Sequence, residues 1–321
     1  VEAGERHLAE ERLRIVEARR AAAQKRGDKP GAVRLQGEAE ALVDFLPFDN
    51  QVLRGPLTLD LRVAGTVGQP SVSGGLTMTD GHYENLLSGT LLQNLALQVT
   101  GQGRNIELQA SASDGLQGRL TLGGQLTLGG PGGFDADLRL TLANFALLQR
   151  DDLFASVEGE LALADRGQGL ALFGTVTGQR VEYDIGASLP PSVATLDVVV
   201  RRDGKPVDPP PPEPPEGEDS TAVAPFSLPL DLVVDLPRRV FVRGSGLESE
   251  WAGRLTIRGT TAVPIITGSL VPQRGLFNLL GSEFTLAGGA VTFDGGPDLD
   301  PQLDLRAVYE GSNIVATVAV G

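Results

Sequence analysis

Cysteine is absent from the 321 residues, histidine occurs twice, and tryptophan and methionine occur once each. Without thiols there are no disulfides, no thiolate nucleophile and no Cys-based metal site. The lack of thiols also suits an oxidising compartment. A zinc site needs several convergent N or S ligands, and His7 and His82 have none near them in sequence. His7 reads as solvated on a helix, and His82 as part of the turn "TDGHYEN". Positive charge is scarce too. Lys and Arg number 27 against 41 Asp and Glu, a formal net charge of -14. That balance excludes a nucleic-acid partner, since phosphate neutralisation needs clustered cations.

No run of 18 apolar residues is present, so no transmembrane helix is expected. Nucleophile elbows, Walker loops and G-x-G-x-x-G fingerprints are missing as well. Glu158 and Glu160 share one face of a strand but have no evident pocket, which is no basis for acid–base chemistry. Asp294, Asp298, Asp300 and Asp304 fit neither an EF-hand nor a glycine-rich calcium repeat, and read as solvated strand ends. No catalytic residue, metal or cofactor is expected, and the chain reads as a non-enzyme.

What remains is aliphatic and turn-rich. Aromatics make up 5 %, while Gly reaches 42 and Pro 21. Residues 1–30 read as an amphipathic helix ended by Gly27 and Pro30, with a second short helical piece over 37–46. From Leu53 the period changes to two. In "LRGPLTLDLRVAG" Leu57, Leu59, Leu61 and Val63 share a face, with Thr58, Asp60 and Arg62 opposite. "DADLRLTLANF" repeats this with Leu138, Leu140 and Leu142, "LPLDLVVDLP" with Leu230, Leu232, Val234 and Leu236, and "PQLDLRAVY" with Leu303, Leu305 and Ala307. Such alternation marks a sheet with one apolar and one wet face. The missing helices between strands argue against a parallel, doubly wound fold. Residues 203–226, rich in Pro and acid, read as an exposed linker. The expected divisions are therefore 1–30, 31–202, 203–226 and 227–321. Val1 in place of Met and a strand-like end, "TVAVG", read as an excerpt of a longer chain.

One supersecondary unit recurs. "DLRVAGTVGQPSVSGGLTMTDGHY" aligns without a gap on "RLTIRGTTAVPIITGSLVPQRGLF", at a constant offset of 194 residues. Gly65, Pro70, Gly74, Leu76, Gly81 and Tyr83 meet Gly259, Pro264, Gly268, Leu270, Gly275 and Phe277. A fainter copy is "GTVTGQRVEY". Repetition of this kind implies an extended stack of similar units. The aliphatic face fits either an ordinary sandwich core or an open apolar groove. Scarce aromatics lean toward the groove, because aliphatic walls accept acyl chains without shape specificity.

The segments "LPRRVFVRGSGLESEWAGRLTIRGTTAVPIITGSLVPQRGLFNLLGSEFTL" and "GGAVTFDGGPDLDPQLDLRAVYEG" resemble the C-terminal region of the TamB family, in the wider AsmA-like group. The Trp251-containing part is the specific one. The resemblance implies a mainly β fold: an elongated, curved antiparallel β-sheet, taco-like and open along a groove, built of solenoid-like repeats behind an N-terminal helix. It implies a periplasmic protein of a Gram-negative bacterium, anchored in the inner membrane by a segment outside these residues. It further implies phospholipid movement between membranes and support of outer-membrane protein assembly, autotransporters included.

The partners so implied are phospholipid acyl chains, outer-membrane protein clients and a BamA-type, TamA-like barrel reached through a missing C-terminal part. On this reading the groove is lined by Leu59, Leu61, Val63, Leu97, Leu138, Leu140, Leu142, Leu161, Leu230, Leu232, Val234, Leu255, Ile257, Leu270, Phe284, Leu286, Leu303 and Leu305. Two alternatives stay open: a scaffold that templates β-barrel clients without carrying lipid, and a β-solenoid surface adhesin.

Overall fold

The computed structural model describes residues 31–39, 50–66, 69–129, 133–167, 169–186, 201–202, 205–206, 227–279, 281–296, 300–311 and 315–320. The strands are Gly31–Glu38 (β1), Gln51–Arg54 (β2), Pro56–Thr66 (β3), Gln69–Asn85 (β4), Thr90–Gly103 (β5), Asn105–Ser113 (β6), Arg119–Leu128 (β7), Phe134–Gln149 (β8), Leu153–Asp165 (β9), Leu170–Asp184 (β10), Arg201–Arg202 (β11), Lys205–Pro206 (β12), Leu230–Gly244 (β13), Leu247–Gly259 (β14), Pro264–Leu279 (β15), Ser282–Asp294 (β16), Gln302–Glu310 (β17) and Val315–Val320 (β18).

All but β11 and β12 join one sheet, whose neighbours follow chain order, with β2 added beside β4. β1 and β18 end the path and do not pair with each other, so the sheet is open. Successive strands pair antiparallel as a meander, and the closed coils of a solenoid are absent among the described residues.

Three expectations need comment. No helix occurs among the described residues. The helix read over 1–30 lies outside them. In the piece read as helical over 37–46, Gly37 and Glu38 instead finish β1, opposite Leu57 and Pro56. Local helix propensity loses there to ladder hydrogen bonds that the adjacent strand supplies. Residues 40–49 lie outside the described set.

Second, the sheet is not wholly antiparallel, because β13 pairs with β10 in parallel. β10 ends at Asp184 and β13 begins at Leu230, beside the start of β10. The two strands therefore start at the same end of the sheet, which a tight hairpin cannot join. Third, the linker read over 203–226 contains the short strand β12. Lys205–Pro206 pairs with Arg201–Arg202, and 207–226 lie outside the described residues. The sheet itself continues across the expected division between 202 and 227.

The repeated unit is a hairpin in both places. Gly65, at φ +84°, faces Pro70 across β3 and β4, and Gly259, at φ +79°, faces Pro264 across β14 and β15. A Cβ at either glycine would strike a carbonyl of the turn, that of Gln69 or Val263. Only glycine fits both the conformation and the approach.

Curvature comes from a second device. Asp80, Asn94, Asn144 and Arg239 adopt φ of +57°, +51°, +48° and +62°, each at a register shift between neighbouring strands. Bulges bend a strand and raise its twist. These four, on β4, β5, β8 and β13, lie toward the rim that carries turns 86–89, 114–118 and 150–152, called here the upper rim.

Candidate apolar trough

Directly opposed residues in a ladder share a face, so the register traces rows across the sheet. One row runs Leu57, Met78, Leu97, Ala110, Leu122, Leu140, Leu161, Gly174, Leu232, Ile257, Ile266, with one residue from each strand it crosses. The next runs Leu59, Leu76, Val99, Leu108, Gly124, Leu138, Leu163, Leu172, Leu230. On the other side lies Ala112, Leu120, Leu142, Gly159, Val176, Val234, Leu255, Gly268, Phe293. A shorter row is Leu236, Gly253, Leu270, Val291, Leu303. No charged side chain interrupts any of them.

All eighteen residues expected to line a groove fall on this face. Leu61 and Val63 continue β3 beyond Leu59. Phe284, Leu286 and Leu305 follow the same face past the register shift at Leu286/Gly288. Leu142 and Phe284 are buried, Val63 and Leu303 are 45 % and 41 % exposed, and the others are half-buried. The long alternating strands therefore carry aliphatic side chains that neither reach a dry core nor stand free. Leu76, Val99, Leu108, Leu163 and Leu172 belong to the same rows and were not singled out from sequence, although their strands alternate equally clearly.

The apolar face is the concave one near the upper rim. Leu92 on β5 packs against Leu142 and Phe145 of β8 and Val157 of β9. On a flat sheet β5 and β8 would stand three spacings apart, about 14 Å, beyond the reach of two side chains. Farther along, Val291 on β16 and Leu305 on β17 pack against a buried cluster of Leu236, Val240 and Trp251 on β13 and β14. That contact again needs the sheet to curl inward. The trough thus holds packed plugs at Phe145 and at Trp251, and a third buried cluster, of Ala39, Leu57 and Met78, fills its β3–β4 end. Beyond the Leu57–Met78 cluster, the rows that begin at Leu57 and Leu59 pass the two plugs on the side of the lower rim.

Each plug is fixed by polar groups. Trp251 Nε1–H donates to Ser249 Oγ at 2.8 Å, and Ser249 Oγ–H donates to the Val242 carbonyl at 3.1 Å. Phe145 sits beside a bulge held by Asp114, which is 1 % exposed. The N–H groups of Leu116 and Gly118 donate to Asp114 Oδ1 at 2.8 and 2.9 Å, and that of Ala146 to Oδ2 at 2.8 Å. The Asx-turn pattern "SDGLQG" was the available signal for Asp114.

The opposite face is polar. Thr77, Gln98, Gln109 and Arg139 line a shallow cavity of about 680 Å³, and Glu107, Gln125 and Asp137 an adjoining one of about 520 Å³. On that face Glu250 accepts from Arg274 Nε at 2.6 Å and from the Arg239 N–H at 3.3 Å. The Arg274 hydrogen bond, then that of Arg239, holds the Glu250 carboxyl below its ordinary value.

Charged triplets clamp both ends of the parallel seam. Asp231 lies 2.8 Å from Arg166 and 3.8 Å from Arg258, and Glu182 lies 2.9 Å from Arg180 and 3.8 Å from Arg243. Asp294 is a turn cap that accepts from the Gly296 N–H at 3.1 Å, and Asp298 lies outside the described residues. No group of three metal-ligating side chains occurs among the described residues.

No curated protein and no solved structure matches the chain. The family model of the TamB C-terminal domain matches residues 108–321, from within β6 through the seam and both halves of the Trp251 plug. With about two-thirds of its length so matched, the chain belongs to the TamB family of the translocation and assembly module.

Proposed function

We propose that this chain is a periplasmic segment of a lipid conduit, in which phospholipid acyl chains move along the apolar trough between the inner and outer membranes. The observation that carries the reading is the set of half-buried aliphatic rows, uncharged and continuous from β5 to β14. A hydrocarbon chain laid on them gains about 0.8 kcal/mol for each CH₂ it buries. The gain is spread over many equivalent contacts, so a chain is held without being fixed in one place. Nothing in this action needs a catalytic group or a cofactor.

The test is photo-crosslinking in the bacterial envelope from Leu232 and Ile257, which face each other on β13 and β14, against Thr256 on the other face. Phospholipid adducts are expected from the first two and not from Thr256. Equal labelling of all three, or none, would refute the conduit.

A second reading, a scaffold for outer-membrane β-barrel clients, draws on β18. β18 carries no charge and no proline, the features that normally discourage a strand from pairing with a further one. Crosslinks from residues 315–319 to unfolded barrel proteins, without lipid adducts in the trough, would favour it. A TamA-like barrel is the outer-membrane partner either reading calls for.

A further inference from the structure

The trough has an asymmetric cross-section. Both plugs, Phe145 and Trp251, stand toward the upper rim, so the open rows run beside the lower one. That rim is made by the turns that join β5 to β6, β7 to β8 and β9 to β10. At the first of them, Gly103 and Arg104 form a two-residue turn, with Gly103 at φ +66°.

Arg104 is an exposed side chain with an unusual anchor. Its Nε–H donates to the Leu128 carbonyl at 2.6 Å, and the Leu128 N–H donates back to the Arg104 carbonyl at 2.8 Å. The guanidinium then lies flat against Gly129, where a Cβ would stand 2.9 Å from Nη2. A side chain that is normally mobile is thus held in one place by backbone. No carboxylate lies within ion-pair distance of it among the described residues. The contrast with Arg150, Arg166, Arg180, Arg254 and Arg274, each paired with an acid, is clear. Immediately inside the turn, Gly101, Ile106, Leu126 and Ala136 form the outermost full row of the apolar face.

We infer that Arg104 receives the phosphate of a phospholipid headgroup whose acyl chains lie in the open rows. The inference rests on the lipid reading of the trough and adds where the head sits. Charge complementarity carries it. A chain of net charge -14 repels anions in general, so an anion settles only where a fixed, uncompensated cation meets it. A planar guanidinium offers the remaining N–H groups as a fork matched to phosphate oxygens. The distance from polar head to apolar tail in a lipid is bridged here by two residues, from Arg104 to the Ile106 row.

The experiment uses the purified 321-residue chain and two probes of equal acyl composition: dioleoyl phosphatidylglycerol, and dioleoylglycerol, which lacks the phosphate. Binding is read by native mass spectrometry. Wild type is expected to retain the phospholipid about fivefold over the diacylglycerol. Arg104→Gln should bring that ratio close to one while leaving diacylglycerol binding unchanged, which also shows that the trough is intact. A ratio that the substitution does not move would overturn the inference and leave the conduit standing. Displacement of the phospholipid by inorganic phosphate at equal concentration would overturn it too, since the acyl chains would then contribute nothing. If wild type binds neither lipid, the conduit reading itself fails.

Discussion

Replacing Asp114 by Asn should loosen the Phe145 plug by an amount that its three hydrogen bonds fix in advance. The carboxylate is buried, and it accepts from Leu116 and Gly118 on Oδ1 and from Ala146 on Oδ2. Asn keeps one acceptor oxygen. If that oxygen stays toward the turn, the new NH₂ group faces the Ala146 N–H, donor against donor. If the amide flips, the turn loses two bonds in place of one. The smaller loss governs. A hydrogen bond to a charged acceptor is worth about 1.5–3 kcal/mol, and a buried donor left without a partner costs about 1–3 kcal/mol. The expected local destabilisation is about 2–3 kcal/mol, or about 30- to 150-fold in an opening equilibrium. Asp114→Ala strands all three N–H groups and should cost about 4 kcal/mol or more.

Hydrogen exchange followed by mass spectrometry reads this in peptides spanning 114–118 and 145–149. The single tryptophan, Trp251, reports the other plug and should keep its fluorescence in the Asn variant. Acceleration of less than about threefold at Ala146 in Asp114→Asn would mean that the bond to Oδ2 contributes almost nothing, and the clamp argument would be wrong.

Two further outcomes follow from single sites. Glu250 has its folded pKa depressed below the ordinary 4.5 by Arg274 and the Arg239 N–H. Its contribution to stability is therefore complete above pH 4.5 and fades as the pH falls through the lower folded value. Glu250→Gln should flatten the acid limb of a plot of urea midpoint against pH below 4.5, and an unchanged limb would exclude Glu250 from acid sensitivity. Gly268 has φ +127°, and a Cβ there would collide with the Arg254 carbonyl across the ladder and stand 3.0 Å from Leu255 Cα. Gly268→Ala should cost about 2 kcal/mol, read from Trp251 fluorescence in urea, whereas Ser269→Ala on the wet face should stay within about 0.5 kcal/mol.

Alternation was legible because a half-buried strand writes its two faces into sequence with period two. Leu138, Leu140 and Leu142 could be assigned to one face before any neighbour was known. What alternation cannot show is a change of phase. On β16 the apolar face falls on Phe284 and Leu286, then on Val291 and Phe293, because the shift at Gly288 inserts a residue. On β8 it falls on Leu142, then on Phe145, across the left-handed Asn144. Such shifts turn the sheet inward, and inward curl brings Leu92 to Phe145 and Leu305 to the Trp251 cluster. The plugs were therefore invisible from sequence, since each joins residues three strands apart. The parallel seam was hidden for another reason. Leu230, Leu232 and Val234 alternate in the same way whether β13 runs with or against β10. Only the length of the connection, residues 185–229, hints that the chain must turn back.

A single sheet ordinarily needs a second layer over its apolar face. Here the two plugs curl the sheet over part of that face and bury Leu142, Phe145, Val157, Leu236, Val240 and Trp251. Leu57 and Met78 are buried as well, and the rest of the rows stays half-covered, mostly by aliphatic side chains. A sandwich would have filled this space with its own side chains, and every contact would then be fixed by shape. On the conduit reading, a face that is half-covered, free of charge and walled at one rim is a core whose second layer the lipid supplies. Acyl chains suit such a face because they match aliphatic rows in chemistry and demand no particular register along them. Tasks are separated along the molecule. Rigidity sits in buried polar groups such as Asp114 and Ser249 near the upper rim, and accommodation sits in the rows beside the lower one. Altering the first should change how the trough is held open, while altering the second should change what it holds.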